Sequence, residues 1–257
     1  MVREPNLKDV RAYWDDNVIG LEASSKEAGS DAFFEEYTAY GAERYADAVA
    51  FYRFDAFRGK RLLEIGCGLG RELELYTRNG AWTVGLDLSY NALKLATKYF
   101  RYRKAKLRAL SSNAEQLPFP DEVFDVVVSL GVLHHTPDTE KAISEVHRIL
   151  RPGGEALIML YNRWSWFNLL ATLSGVGYEK QEADAPIVKM YSRRQIVRMF
   201  RRYRDIRIVT GCPPQPTIKR RGILAKLYNS VFVRCWNLLP SFATRRFGWH
   251  HRIHCWK

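Results

Sequence analysis

Between residues 61 and 161 short apolar runs alternate with amphipathic stretches, and this alternation restricts what the chain can fold into more than any other feature. Arg61-Leu-Leu-Glu-Ile65 stops at glycines and reads as a buried strand. Residues 82–87 and 107–110 read as strands, with a helix over 90–103 between them. Asp125-Val-Val-Val-Ser-Leu130 is a largely β-branched run of the kind that parallel sheets cover on both faces. A helix over 139–150 follows, with Ala142, Ile143, Val146, Ile149 and Leu150 at helical spacing. Arg151-Pro-Gly-Gly154 then reads as a turn and residues 155–161 as another strand. Strands and helices in this order imply an α/β fold, a doubly wound parallel sheet with right-handed crossovers.

The flanks lack that rhythm. Residues 7–57 read as helices interrupted by aromatic side chains, with one long helix over 41–57. Beyond Tyr161, residues 162–177 are aromatic and apolar, 193–203 suggest a helix, 206–210 a strand and 211–216 a proline-rich break. Residues 223–239 have apolar side chains at helical spacing with basic flanks, and 248–256 alternate as a closing strand. The expected organisation is a helical N-terminal lid over 1–57 and one domain over 58–257. That domain carries an insertion at about 162–192 and a basic part over 193–257.

Composition narrows the classes. A chain of 257 residues, 47% hydrophobic, suits one α/β domain with an insertion and excludes a disordered or fibrous chain. No apolar run approaches the ~20 residues that span a bilayer. The polar start, Met1-Val-Arg-Glu-Pro, lacks the apolar core of a secretory leader. Cys67, Cys212, Cys235 and Cys255 show no CxxC spacing, so a disulfide scaffold and a zinc ribbon are both poor readings. Reduced thiols and a cytoplasmic location are expected. Charge is uneven: residues 193–257 hold 16 basic residues and one acidic, whereas 1–192 hold 24 and 27. Such a field attracts anions such as a membrane surface, an acidic peptide or a nucleic acid.

The densest motif is Leu63-Glu-Ile-Gly-Cys-Gly-Leu-Gly70, between an expected strand and an expected helix. Glycines let a backbone turn sharply and let a ligand approach it closely, and the helix that follows offers unpaired N–H groups. Dinucleotide loops place glycines first, third and sixth. Here the pattern is GxGxG with Glu64 ahead of it, which suits a loop wrapped around an amino acid and a ribose. Asp87 ends the next strand, where a carboxylate can accept both hydroxyls of a ribose.

Together with Asn113-Ala-Glu-Gln-Leu-Pro-Phe-Pro120, Phe124-Asp-Val-Val-Val-Ser129, Gly131-Val-Leu-His-His135 and Arg151-Pro-Gly-Gly154, these motifs resemble the class I S-adenosylmethionine-dependent methyltransferases. The likeness covers about residues 58–161. It is nearest the branch containing the ubiquinone and menaquinone biosynthesis type and many natural-product enzymes. The resemblance implies a Rossmann-like seven-stranded sheet whose last strand runs antiparallel, which suits 248–256. It implies S-adenosylmethionine as cofactor and S-adenosylhomocysteine as product, with no metal. Glu64, Gly66 and Gly68 would line the methionine part, with Cys67 a small buried side chain in the same loop. Asp87 would bind the ribose, Leu88 would pack beside adenine, and Ala114 would offer a backbone N–H. Leu130 or Gly131 would sit beside the sulfonium. The family usually has aspartate where this chain has Asn113, whose carbonyl can still accept from the adenine amino group.

Methyl transfer needs alignment and exclusion of water, and a hydroxyl acceptor also needs a base. His134 and His135 follow directly on a strand, at the edge where open α/β sheets place ligands. One of them is expected to be structural, and His135 is the preferred base. Tyr13, Trp14 and Tyr37 are expected walls of an N-terminal lid. Tyr161, Trp164 and Tyr191 are expected to line the acceptor side. His250, His251 and His254 are expected on the surface. The acceptor is expected to be a small or lipid-like molecule methylated on oxygen, with the 223–239 helix touching a membrane. The alternative is a peptide or protein acceptor held by the basic C-terminal third. RNA is disfavoured, because the basic residues are interleaved with bulky aliphatics.

Overall fold

The β-branched run folds as β4 (Phe124–Leu130), paired in parallel with β1 (Arg61–Ile65) on one side and β5 (Leu150–Asn162) on the other. The computed structural model describes residues 5–44, 46–174, 185–211, 214, 226–240 and 244–257. With β2 (Trp82–Asp87), β3 (Ala109–Ser111), β7 (Arg204–Gly211) and β8 (His250–Trp256), the sheet order is β3-β2-β1-β4-β5-β8-β7. β8 is antiparallel to both neighbours, and a two-residue β6 (Met190–Tyr191) extends the end of β5. The fold is thus the expected Rossmann-like α/β sheet, with β6 added to the seven strands.

Helices cover both faces. α4 (Arg71–Arg78), α5 (Tyr90–Tyr102) and α6 (Thr139–Ile149) follow β1, β2 and β4. α5 and α6 start at side-chain caps, Ser89 accepting from the Ala92 N–H and Asp138 from that of Lys141. α8 (Arg193–Met199) opens on a capping box between Ser192 and Gln195. Leu63, Val127, Ile143, Val146, Ile158 and Ile253 belong to one core cluster, while Phe33, Phe34, Leu73 and Tyr99 belong to a second under α2 (Asp31–Arg44). Because β1, β2, β4 and β5 run in parallel, their carboxyl ends share one edge, and the site forms there.

Four expectations change. The helix expected over 41–57 is broken: α2 ends at Arg44, a 3-10 turn spans Ala46–Ala48, and α3 (Val49–Tyr52) stops at Arg53 with φ 51°. The Tyr52 carbonyl accepts the buried Tyr76 hydroxyl at 2.7 Å instead of continuing the helix. The turn at 151–154 is a bulge within β5, the register passing from Phe124↔Leu150 to Val126↔Glu155. Asp125, opposite the bulge, accepts from Arg151 at 3.0 Å and from the Arg61 N–H at 2.7 Å.

The histidines at 250 and 251 are buried, because β8 lies inside the sheet between β5 and β7. His254, half-buried, pairs with Glu155 on β5. The helix expected over 223–239 is described from Lys226 onward, as a π-helical turn Tyr228–Phe232 leading into α9 (Val233–Leu238). Residues 223–225, the 175–184 part of the insertion, Cys212 and most of the proline-rich break lie outside the described residues. Among the described residues no helix is long and apolar enough to cross a membrane.

Candidate active site

The glycine loop forms the floor of the site. Gly66 has φ 75°, and a Cβ there would overlap both Val132 methyl groups, the farther at 2.8 Å. Gly68, at φ 51°, has nothing within 4 Å of the position a Cβ would take, so this face of the loop is open. The Gly66 and Cys67 N–H groups donate to the Leu86 carbonyl at 2.6 and 3.1 Å, pinning the loop to the end of β2. Asp87 accepts from the Gly68 N–H and from the Ser89 N–H, each at 2.8 Å. Burial pushes its carboxyl up from the usual range, against the pull of those two donors on the anion.

Above the loop lies a cavity of about 340 Å³, within the roughly 300–1,000 Å³ of small-molecule sites. All nine residues expected around the cofactor line it: Glu64, Gly66, Cys67, Gly68, Asp87, Leu88, Asn113, Ala114 and Leu130. Asn113 Oδ1 also accepts from the Glu115 N–H at 3.0 Å, a local turn that orients the side chain. Glu22 and Glu72 join Glu64 and Asp87 in the lining, with Arg71 as the guanidinium among them. Arg71, in the first turn of α4, lies across Gly41 of α2 and bonds Glu72 at 2.6 Å.

Glu64 is buried, and its Oε2 has no hydrogen-bond partner. Desolvation pushes its carboxyl well above the usual range; Glu72 and Asp87 add to this and Arg71 opposes it. A carboxylate-rich lining with an unsatisfied buried oxygen fits a ligand that brings positive charge and a cationic donor, as S-adenosylmethionine does with its sulfonium and its ammonium. Among the described residues there is no cluster of three or more side chains suited to a metal ion.

The other end of the cavity is aromatic. α1 (Leu7–Asp16) is tied to the start of α5 through Asp15, which accepts from the Ser89 hydroxyl at 2.8 Å and the Asn91 N–H at 3.2 Å. The Asn91 amide donates in turn to the Asp15 carbonyl at 3.0 Å. This docking sets Trp14 edge-on to His135, ring centroids 5.0 Å apart. Tyr161, Trp249 and His250 complete the wall, while Tyr37 joins the lining from the second core cluster, where it packs on Phe33 and Tyr99.

His135 Nδ1 lies 2.7 Å from the Ile187 carbonyl oxygen. A carbonyl only accepts, so Nδ1 carries the proton and Nε2 is the basic nitrogen. His134 does not line the cavity. It is fully buried 3.9 Å from the Tyr161 ring, and desolvation, with His135 and His250 nearby, holds it neutral well below the usual imidazole range.

Three expected acceptor residues lie elsewhere. Tyr13 packs edge-on behind Trp14, at 5.0 Å, outside the lining. Trp164 is 66% exposed, because Asn162 Oδ1 accepts its N–H at 3.0 Å in a turn that leaves the sheet. Tyr191, on β6, packs half-buried on the main core. Conversely, Arg71, Tyr40, Tyr52, Met159 and Trp249 line the cavity without having been expected there, as does His250, which was expected on the surface. For His250 a signal existed. An antiparallel terminal strand enters at the carboxyl edge, so its first residue, paired with Tyr161, reaches the site.

Residues 63–158 match the model of the family described as "Methyltransferase domain". A phthiotriol/phenolphthiotriol dimycocerosates methyltransferase of Mycobacterium tuberculosis is 42% identical over 98 residues, covering 37% of this chain and 36% of that protein. A fatty-acid O-methyltransferase of Mycolicibacterium smegmatis is 34% identical over 190 residues, covering 72% of this chain and 60% of that one. The chain therefore spans about a third of the mycobacterial protein's length and under two thirds of the fatty-acid enzyme's. Among solved structures, phosphoethanolamine N-methyltransferase 2 of Haemonchus contortus superimposes with a TM-score of 0.61 at 18% identity. That alignment covers 96% of this chain and 60% of that one, and it speaks to the fold. Residues 63–158 thus carry a methyltransferase domain, and the whole chain has the fold of the S-adenosylmethionine-dependent methyltransferases to which it is similar.

Proposed function

We propose that this chain transfers a methyl group from S-adenosylmethionine to an oxygen of a lipid-like acceptor, with His135 as base where that oxygen is a hydroxyl. One observation carries the reading: a single cavity joins the carboxylate-lined glycine loop to an aromatic end where His135 has its tautomer set by the Ile187 carbonyl. S-adenosylmethionine, when bound, supplies a methyl carbon on a sulfonium, which the acceptor oxygen displaces in line while the C–S electron pair stays on sulfur.

Glu64, Gly66, Cys67 and Gly68 would hold its methionine part, and Asp87 its ribose. Leu88, Asn113 and Ala114 would flank adenine, and Leu130 would sit near the sulfonium. At the other end His135 Nε2 takes the hydroxyl proton, while a carboxylate acceptor needs no base. Trp14 and Tyr37 exclude water, and residues 5–57 act as a lid tied down by Asp15. Tyr161, Trp249 and His250 present an aromatic wall to the acceptor chain. The names of the two mycobacterial relatives support a lipid acceptor, and that of the fatty-acid enzyme supports oxygen.

The test is calorimetric titration with S-adenosylmethionine and S-adenosylhomocysteine, followed by transfer of a labelled methyl to a long-chain fatty acid and a long-chain alcohol. Binding lost in Asp87→Ala locates the cofactor. His135→Ala is expected to abolish transfer to the alcohol while sparing the fatty acid. Equal turnover of the alcohol by wild type and His135→Ala would refute the base.

A further inference from the structure

The segment from Lys226 through α9 is apolar on two opposite sides. Tyr228, Phe232 and Trp236 face Trp166 of α7 (Trp166–Ser174), with ring centroids 6.3, 6.1 and 6.5 Å away, and Val233 is buried beside them. On the outer side Leu227, Val231, Arg234 and Leu238 follow at four-, three- and four-residue intervals. Leu227 and Val231 are half exposed and Leu238 is 84% exposed. A helix apolar on two opposite sides is stable where its second side is covered as well.

Charge identifies what covers it. From residue 206 to 257 the sequence carries ten Lys and Arg and no Asp or Glu. Lys226, Arg234, Arg245 and Arg246 are exposed on this segment and on the turn that precedes β8. That turn is joined to the site: the Asn162 amide at the end of β5 donates to the Arg246 and Gly248 carbonyls, both at 2.9 Å. Trp249, next along, stacks on Phe167 of α7 at 4.3 Å and stands 5.4 Å from Tyr161 in the cavity wall. The inner side of the segment and its basic rim are thus joined to the aromatic wall of the cavity through Trp166 and Trp249.

We propose that the α7 and α9 face docks on an anionic phospholipid surface, its leucines entering the acyl boundary and its arginines meeting the headgroups. A lipid acceptor would then reach the Trp249–Tyr161 wall without crossing water. This rests on the lipid-acceptor reading above.

The experiment is co-sedimentation of the full chain with phosphatidylcholine vesicles, with and without phosphatidylglycerol. The wild-type chain is expected to pellet only with the anionic vesicles. Leu227→Asp and Leu238→Asp should each weaken partitioning roughly tenfold, the scale of one buried leucine. Arg245→Glu with Arg246→Glu should weaken it by a similar factor, at ~1 kcal/mol per basic residue. S-adenosylmethionine titration should remain unchanged in every variant, which shows that the fold is intact.

Undiminished pelleting of both leucine variants would overturn the docking face. So would a wild-type dimer dissolved by Leu238→Asp, or capture by polyglutamate in place of vesicles. Absent vesicle binding with intact transfer to a detergent-dispersed acceptor overturns docking and leaves the acceptor reading standing. Vesicle binding by the leucine-dependent face without transfer to any lipid supports docking and refutes the acceptor reading.

Discussion

Gly68→Ala separates the cofactor cradle from the stability of the fold. Gly68 has φ 51°, a conformation that costs an L-residue about 1–2 kcal/mol. The new Cβ would meet no protein atom within 4 Å, so no clash is added to that strain. For a domain of this size the loss corresponds to a melting temperature lower by roughly 2–8 °C. Gly68 lines the cavity, however, so the methyl group would take up space that a ligand needs. Overpacking a close contact costs roughly 1–3 kcal/mol, or about ten- to hundredfold in affinity.

Gly153→Ala is the control. Gly153 has φ 76° and likewise nothing within 4 Å, but it lies in the β5 bulge away from the cavity. Differential scanning fluorimetry should show both variants destabilised alike. Calorimetry should show S-adenosylmethionine binding lost or strongly weakened in Gly68→Ala alone. If Gly68→Ala binds as tightly as Gly153→Ala, the open face of the loop is not where the cofactor sits.

Gly66→Ala should fail on stability instead, since its Cβ overlaps Val132; a soluble variant with wild-type melting would refute that packing. His251 is held by burial, and secondarily by Arg193, at a pKa of about 4, against ~6.5 in the unfolded chain. The unfolded state therefore binds the extra proton. This contribution is complete above pH ~6.5 and is lost as pH falls toward 4, about 3 kcal/mol in all. Urea midpoints measured at pH 7 and pH 5 should fall less in His251→Gln, and an equal fall would exclude this histidine. Arg148 bonds Glu145, Asp121 and the Leu117 and Phe119 carbonyls. Arg148→Ala should cost about 2 kcal/mol and loosen cofactor binding through the loop that carries Asn113, and unchanged values in both assays would dismiss the network. Asp15→Ala should leave melting nearly unchanged but speed S-adenosylmethionine release several-fold, seen by stopped flow. An unaltered rate would mean that α1 is not a lid.

The glycine-loop half of the cavity was legible because it is local. Residues 63–70 combine strand, turn and helix start in eight consecutive positions, and Asp87 closes the next strand. Such spacings survive any arrangement of the rest of the chain. The aromatic half is assembled from distant segments: Trp14, His135, Tyr161 and His250 meet only once the sheet is built. Side-chain type alone could not separate Trp14, which lines the cavity, from Trp164, which faces solvent, because both are aromatic residues in irregular flanks. What separates them is the Asp15 tether in one case and the Asn162 turn in the other.

Hydrophobic periodicity by itself determined the parallel sheet, since a buried β-branched run followed by an amphipathic helix has few other ways to cover its apolar atoms. The glycine spacing determined the loop that floors the cavity, because a backbone turns this sharply and stays open to close approach only where no Cβ intervenes. Tertiary structure alone decided that the histidines at 250 and 251 are buried, that α3 stops where Tyr76 takes the Tyr52 carbonyl, and that the Ile187 carbonyl sets the tautomer of His135. Each of these depends on which partner desolvates or hydrogen-bonds a group from far along the chain, and no local pattern encodes that partner.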